Sequence, residues 1–448
     1  MTTLTLPSAG PMALSATAWS WPNTPLTRRG GAAVLAVAIV SACGGGGDDA
    51  TDPPAPVPVV STPGAGATPA PGAGATACDT AVGRVLDVGP GKPYATPSAA
   101  ARVAQAGDVV RIAAGNYRGD VAIWSVSNLT LCGVGGRARL YADGRSAGGK
   151  AIWVVAGANT TIDSVDFLNA RVPDNNGAGI RAEHRSGELR VLNSGFYDNQ
   201  MGILSAAGPI GITIEGSEFA RSDTGTTAAL GHNLYIGRID RLTVRSSFFH
   251  EAVRGHNLKS RAKVSTVENS YFMDGPDGRS SYLTDFPDGG QVTLRGNLLH
   301  KGPLADNPTA VAFGAESTSF WPVNTLELSH NTLVMTRSGG YFLRAPAVTQ
   351  SLRLTANVWA GTGSPSLITG GFAAGNAVQA GNISAQAAQF PGASNLSSPM
   401  FWPSASLMGA LALPGVPDAA YTHDSPAPYV RRAIASGTRL AGALQSAP

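Results

Sequence analysis

Three short segments gather side chains able to move protons and hold anions: 231–236 (GHNLYI), 255–261 (GHNLKSR) and 280–290 (SSYLTDFPDGG). Lys259, His256, Tyr235, Arg261, His232 and Tyr282 are the candidates for catalysis. Asn233, Asn257, Arg254 and Asp285 are the candidates for holding a substrate. This set suits removal of a proton beside a carboxylate and expulsion of a neighbouring oxygen. That chemistry needs a base, an acid, and cations or strong donors that neutralise the carboxylate. Lys259 can serve as the base if Arg254 and Arg261 beside it favour its uncharged amine. Tyr235 or Tyr282 can protonate the leaving oxygen, and Arg254, Arg261, Asn233, Asn257 and His256 can neutralise the carboxylate. Arg238, Arg241, Arg245 and Lys263 add to a local excess of positive charge.

These segments can act together only if the chain stacks them, and a repeat supplies the means. An apolar strand, then Ser or Asn, one further residue and a large apolar residue recurs as LRVLNSGF (189–196), ITIEGSEF (212–219), LTVRSSFF (242–249) and STVENSYF (265–272). It continues as VTLRGNLL (292–299), LELSHNTL (326–333) and LRLTANVW (352–359), with weaker copies at 130–134 and 161–167. The polar column is Ser194, Ser217, Ser247, Ser270, Asn297, Asn331 and Asn357. The apolar column is Phe196, Phe219, Phe249, Phe272, Leu299, Leu333 and Trp359. No such unit can bury its apolar face alone, so the copies must stack as coils. The expected fold is all-β: a right-handed parallel β-helix (solenoid) with a short N-terminal capping helix starting at Thr96-Pro97. The first coil is expected at 108–116.

Stacking places His256 one rung, about 4.8 Å, from His232. Alternation turns Leu234, Leu258 and Leu283 inward. It turns Asn233, Tyr235, Asn257, Lys259, Tyr282 and Thr284 outward, with Tyr235, Lys259 and Thr284 in one column. The two histidines share the parity of the leucines but stand at a turn, at the groove edge or inside it.

The rest of the chain frames this body. With 56 Gly, 14% charged and 43% hydrophobic residues, the composition favours short strands and tight turns. A net charge of +3 marks no nucleic-acid binder. Arg28 and Arg29 precede a short apolar run and Val40-Ser41-Ala42-Cys43, which resembles the lipobox of bacterial lipoproteins. The expected layout is a signal peptide over 1–43, its start at Met1 or Met12, with Cys43 lipidated. A Gly/Pro/Ala-rich linker over 44–77, the β-helix over 78–384 and a C-terminal cap or tail over 385–448 follow. Gly44 after the cysteine points to an outer-membrane lipoprotein facing the periplasm or cell surface. Cys78 and Cys132 would pair in such an oxidising compartment if the fold brings them together.

Two resemblances follow from these residues. The stretch 86–119 (LDVGPGKPYATPSAAARVAQAGDVVRIAAGNYRG) resembles the opening of the pectate-lyase superfamily. Residues 251–299, and HNLYIG at 232–237, resemble the catalytic region of the alginate lyase and chondroitinase B family. The resemblance makes Lys259 of Lys259-Ser260 the base and a polysaccharide lyase the activity. Where that family places acidic calcium ligands, this chain has Arg254, Gly255 and His256, so calcium lacks its usual acidic ligands and no cofactor is expected. The family's arginine on the next coil is replaced by Asp285-Phe286-Pro287-Asp288.

The expected function is β-elimination on an acidic, uronate-containing polysaccharide, by a monomer held at a membrane through its lipid and binding no nucleic acid. The alternatives are a glycoside hydrolase using Asp277, Asp285 and Asp288, an epimerase sharing the same proton abstraction, or a non-catalytic polysaccharide-binding surface lipoprotein.

Overall fold

A computed structural model describes residues 75–404 apart from 228, 398 and 400, together with 407, 411, 421–423, 431–433 and 440–445. The lipobox with Cys43 and most of the linker lie outside the described residues.

The chain is a parallel β-solenoid of about 12 turns with very little helix. A coil is three short strands separated by bends, as in Ile239–Arg245, Phe248–His250 and Leu258–Ser260. The next coil repeats them as Val264–Glu268, Tyr271–Met273 and Thr284–Phe286. Each strand pairs in parallel with its counterpart one coil away, so three sheets run along the molecule. The third contains ten strands and carries the candidate site.

The repeated motif forms the bend between the first two sheets. The residue before the Ser/Asn column takes positive φ in successive coils: Asn193 (45°), Ser246 (46°), Asn269 (47°), His330 (52°) and Ala356 (54°). The chain then turns sharply, and the backbone N–H of the next residue points along the solenoid. The Ser247 N–H donates to Ser270 Oγ (3.2 Å), that of Ser270 to Asn297 Oδ1 (3.0 Å), and that of Asn297 to Asn331 Oδ1 (3.0 Å). Asn331 passes the ladder to Asn357, and Asn357 to Asn382. Buried backbone donors at a bend have no strand partner, and this column satisfies them.

The apolar column stacks beside it. Phe167, Phe196, Phe219, Phe249 and Phe272 follow one another at centroid distances of 5.0, 4.4, 4.7 and 4.9 Å with nearly parallel rings. Leu299, Leu333 and Trp359 continue the register.

Thr96 caps the short helix Pro97–Ala101, its side chain accepting the Ala99 N–H, and Ala100 packs onto the core of the first coils. The first rung begins earlier than expected. Val85–Val88 pairs with Val109–Arg118, so the strand expected to open the solenoid is its second rung. Cys78 and Cys132 form a disulfide that ties the helix Ala77–Thr80 to the strand Thr130–Tyr141. After Ile383–Gln386, the described tail lies on a flank. Phe390, Phe401, Leu407 and Leu444 cover Phe248, Tyr271, Leu298, Val334 and Val358.

Candidate active site

The outward column of the third sheet reads Arg181, Leu204, Tyr235, Lys259, Asp285, Ala312, Arg344 from rung to rung. Lys259 therefore neighbours Asp285, where alternation had placed Thr284. Thr284 pairs with Leu258 instead and takes the buried place of a core leucine. The cause lies at the start of each strand, where two consecutive residues face inward. Asn233 and Leu234 do so in one coil, Asn257 and Leu258 in the next, and Leu283 and Thr284 in the third.

The same corner corrects Asn233 and Asn257, expected to face a substrate. Both are fully buried. Asn233 Nδ2 donates to Asn257 Oδ1 (2.8 Å) and to the His250 carbonyl (2.8 Å), while its Oδ1 accepts from the Ser222 N–H. They are structural rungs.

His232, His256 and Tyr282 instead stack at the edge of the outer face, with centroids 4.8 and 5.1 Å apart. The His256 backbone N–H donates to His232 Nδ1 (3.0 Å), and the Tyr282 N–H donates to His256 Nδ1 (3.2 Å). An Nδ1 that accepts carries no proton, so each neutral ring holds its proton on Nε2. Burial first, then nearby positive charge, lowers His232 to about 3 and holds His256 well below its ordinary value. Both rings are neutral at physiological pH, and His256 presents an Nε2–H donor.

That donor faces Asp285 Oδ2 at 3.3 Å, and Lys259 Nζ lies 3.6 Å from the same oxygen. Asp285 is 2% exposed, and its Oδ1 has no hydrogen-bond partner among the described residues. Burial raises its pKa to about 7, with Lys259 pulling the other way. A carboxyl poised there can take or give a proton at neutral pH.

Glu316, 57 residues beyond Lys259, completes the cluster. Its Oε1 accepts from Lys259 Nζ at 2.7 Å and its Oε2 accepts from Arg261. It is half-exposed, and the two cations outweigh burial to keep it ionised. Arg261 also bonds Asp288 Oδ1 (2.5 Å) and donates through Nε to Tyr235 Oη (3.2 Å). Asp288, one of the three carboxylates of the alternative hydrolase reading, is fully buried between Arg261 and Arg238. Lys259 Nζ stands 5.5 Å from the centre of the Tyr235 ring. Phe320, largely exposed, stacks under Arg238 at 4.0 Å, and Trp321 donates to the Arg261 carbonyl.

Arg254 is not part of this cluster; its ion-pair partner is Asp306 (3.8 Å). The expected basic patch is also not a net excess here, because Arg238, Lys259 and Arg261 are each matched by Asp285, Asp288 or Glu316. Asp277 is an exposed loop residue. Glu316 and Phe320 gave no sequence signal, since they lie on an irregular loop outside the repeat.

Positions 254–256, where the resembled family carries acidic calcium ligands, offer no anionic oxygen. Arg254 is cationic, His256 Nδ1 accepts from the backbone, and a side chain at Gly255 would collide with the Gly231 carbonyl. Among the described residues no three His, Cys, Asp or Glu side chains gather as a metal site would require. These three positions do not make a calcium ligand set.

No protein-family model matches the sequence, and a search of curated proteins finds no match. Solved structures match its fold. A pectate lyase, Pel9A, superposes with a TM-score of 0.54 at 14% identity, covering 82% of this chain and 98% of the other. An alginate lyase from Paenibacillus sp. str. FPU-7 gives a TM-score of 0.47 at 16% identity, covering 66% and 99%.

Proposed function

We propose that this protein is a polysaccharide lyase that cleaves a uronate-containing polymer by β-elimination at Lys259, Arg261, Asp285 and Tyr235. The observation that carries the reading is the Glu316 carboxylate, held jointly by Lys259 and Arg261 beside a buried carboxyl of pKa about 7. A uronate carboxylate has the same charge and shape. Replacing Glu316, it would receive the same two cations, which neutralise it and acidify the C5 proton. The fold shared with a pectate lyase supports a polysaccharide as the substrate class.

In this reading Asp285 takes the C5 proton, and the C5–H electron pair becomes the C4–C5 double bond. The C4–O4 bond breaks, and Tyr235 protonates the departing oxygen. His256 Nε2–H and Lys259 steady the Asp285 carboxylate before it accepts the proton. Lys259 therefore holds the carboxylate, in place of the role as base that the resemblance implied.

Substitutions separate these roles. Lys259→Arg preserves the cation and should retain measurable formation of unsaturated uronate, followed by its ultraviolet absorbance. Lys259→Ala and Asp285→Asn should each lose about 100-fold or more. A Lys259→Arg protein as inactive as Lys259→Ala would make the lysine the base. A folded wild-type protein yielding no unsaturated product from any acidic polysaccharide would remove the lyase reading.

One observation favours a second reading, glycoside hydrolysis. Asp285 is pushed up while Glu316 is held down, the contrast expected of an acid and a nucleophile. Their oxygens lie 3.6 and 2.7 Å from one Nζ, which allows the separation of about 5–5.5 Å used by retaining enzymes. New reducing ends without a double bond would establish it.

A further inference from the structure

Lys301 is completely buried at the end of the second-sheet strand Leu298–Lys301, one coil beyond Thr284–Phe286. Its Nζ donates to the Ser280 carbonyl (2.9 Å), to Ser280 Oγ (3.1 Å) and to the Ser281 carbonyl (2.7 Å). Three acceptors use all three N–H groups of an ammonium. Asp274, equally buried, stands 3.6 Å away and accepts the Gly302 N–H (2.9 Å). Burial works against the charge on Lys301 and Asp274 supports it; Arg337 and Asp306 are its other charged neighbours. A buried cation is costly to keep, yet no step of the proposed elimination touches this one.

The two carbonyls that Lys301 holds belong to peptide groups whose N–H ends point toward the site. The Ser281–Tyr282 peptide accepts from Lys301 and donates its N–H to His256 Nδ1 (3.2 Å). The Ser280–Ser281 peptide accepts from Lys301 and donates its N–H to the Gly255 carbonyl (2.7 Å). The Gly255–His256 peptide in turn donates its N–H to His232 Nδ1 (3.0 Å). Two chains of hydrogen bonds thus start at one ammonium and end on the two stacked histidines, crossing one coil per link. A cation at the oxygen end of a peptide group polarises it and strengthens the N–H at the other end. The hydrogen bond at one ring nitrogen of a histidine decides which nitrogen keeps the proton. With Nδ1 accepting, His256 turns its Nε2–H toward Asp285 Oδ2, 3.3 Å away. The same charge opposes a second proton on that ring. Burial first, then His232, Lys259 and Lys301, hold His256 well below its ordinary pKa.

We infer that Lys301 is a positioning residue, whose ammonium acts through these peptide groups to fix His232 and His256 in the Nε2–H form and to aim the His256 donor at Asp285. The inference rests on the lyase reading for its effect on turnover. The form of the two rings tests it without turnover.

Nuclear magnetic resonance of the full chain with nitrogen-15-labelled histidine reads which ring nitrogen carries hydrogen. The two signals are identified by their loss in His232→Gln and His256→Gln. Wild type should show both rings protonated at Nε2 alone from pH 5 to pH 8. Lys301→Met removes the charge with little change in volume. Lys301→Met combined with Asp274→Asn removes both buried charges, which a packed interior tolerates better than a lone carboxylate. In whichever of these unfolds cooperatively like wild type, His256 should populate the Nδ1–H form or take a second proton within that pH range. Under the lyase reading kcat should fall about tenfold while KM holds, less than the loss of a donor that touches the reacting group. A folded variant whose histidines keep the wild-type pattern at every pH, or a wild type with hydrogen on Nδ1, would overturn the inference. An altered ring form in the variant, with no unsaturated product from the wild type, would keep Lys301 in this role and remove the lyase reading alone.

Discussion

Asp285 shows how much of the site depends on the surroundings of one side chain. An exposed aspartate titrates near 3.9, whereas this one is buried beside a single lysine and rises to about 7. The folded protein therefore binds its proton more tightly than the unfolded chain does. The associated stability is complete below pH 4 and is lost as pH rises through about 7. Asp285→Asn removes this dependence. The variant should gain stability over wild type between pH 4 and pH 8, and the two should converge below pH 4. Urea unfolding at pH 4, 6 and 8 reads the difference, and a constant gap would show that Asp285 ionises freely in the folded protein. The sequence pointed to the neighbourhood of Asp285 but gave it a secondary place as a substrate ligand. Its desolvation, and the nearness of His256 and Lys259, exist only once three coils are stacked.

Among the elements, the bend column is the most informative. Ser194, Ser217, Ser247, Ser270, Asn297, Asn331 and Asn357 were legible as a repeat because each performs the same local task. Each side-chain oxygen accepts a backbone N–H from the preceding coil. Asn331→Ala would leave the Asn297 N–H buried without its partner and should cost about 1–3 kcal/mol in chemical denaturation. Asn331→Ser should recover part of that loss, because serine fills the same position in the earlier coils. Equal stability of the alanine variant and wild type would show that the ladder contributes little. The start of the third-sheet strand was not legible in the same way. Simple alternation fails where two successive residues turn inward, and this misplaced Thr284, Asn233 and Asn257. The identical Gly-His-Asn tripeptides marked the place, but their faces follow from the corner rather than from the spacing.

At the scale of the molecule, the solenoid is held at its beginning by the disulfide. Cys78 and Cys132 are 54 residues apart and join the N-terminal helix to the growing sheet. Cys132→Ser should lower stability by about 2–4 kcal/mol, measured against wild type with and without reductant. If reduction shifts neither protein, the bond has no part in stability. The sequence by itself determined the stacked-coil fold, the phenylalanine and Ser/Asn columns, the cap at Thr96-Pro97 and the three segments whose polar side chains gather on one sheet. Each of these is a local pattern repeated along the chain, and periodicity records such patterns directly. Only the tertiary structure decided that Asp285 rather than Thr284 faces Lys259, that Glu316 lies between Lys259 and Arg261, and that the local cations are matched by carboxylates. Those contacts join residues up to 57 positions apart through an irregular loop, and distance along the chain carries no information about which charges meet across it.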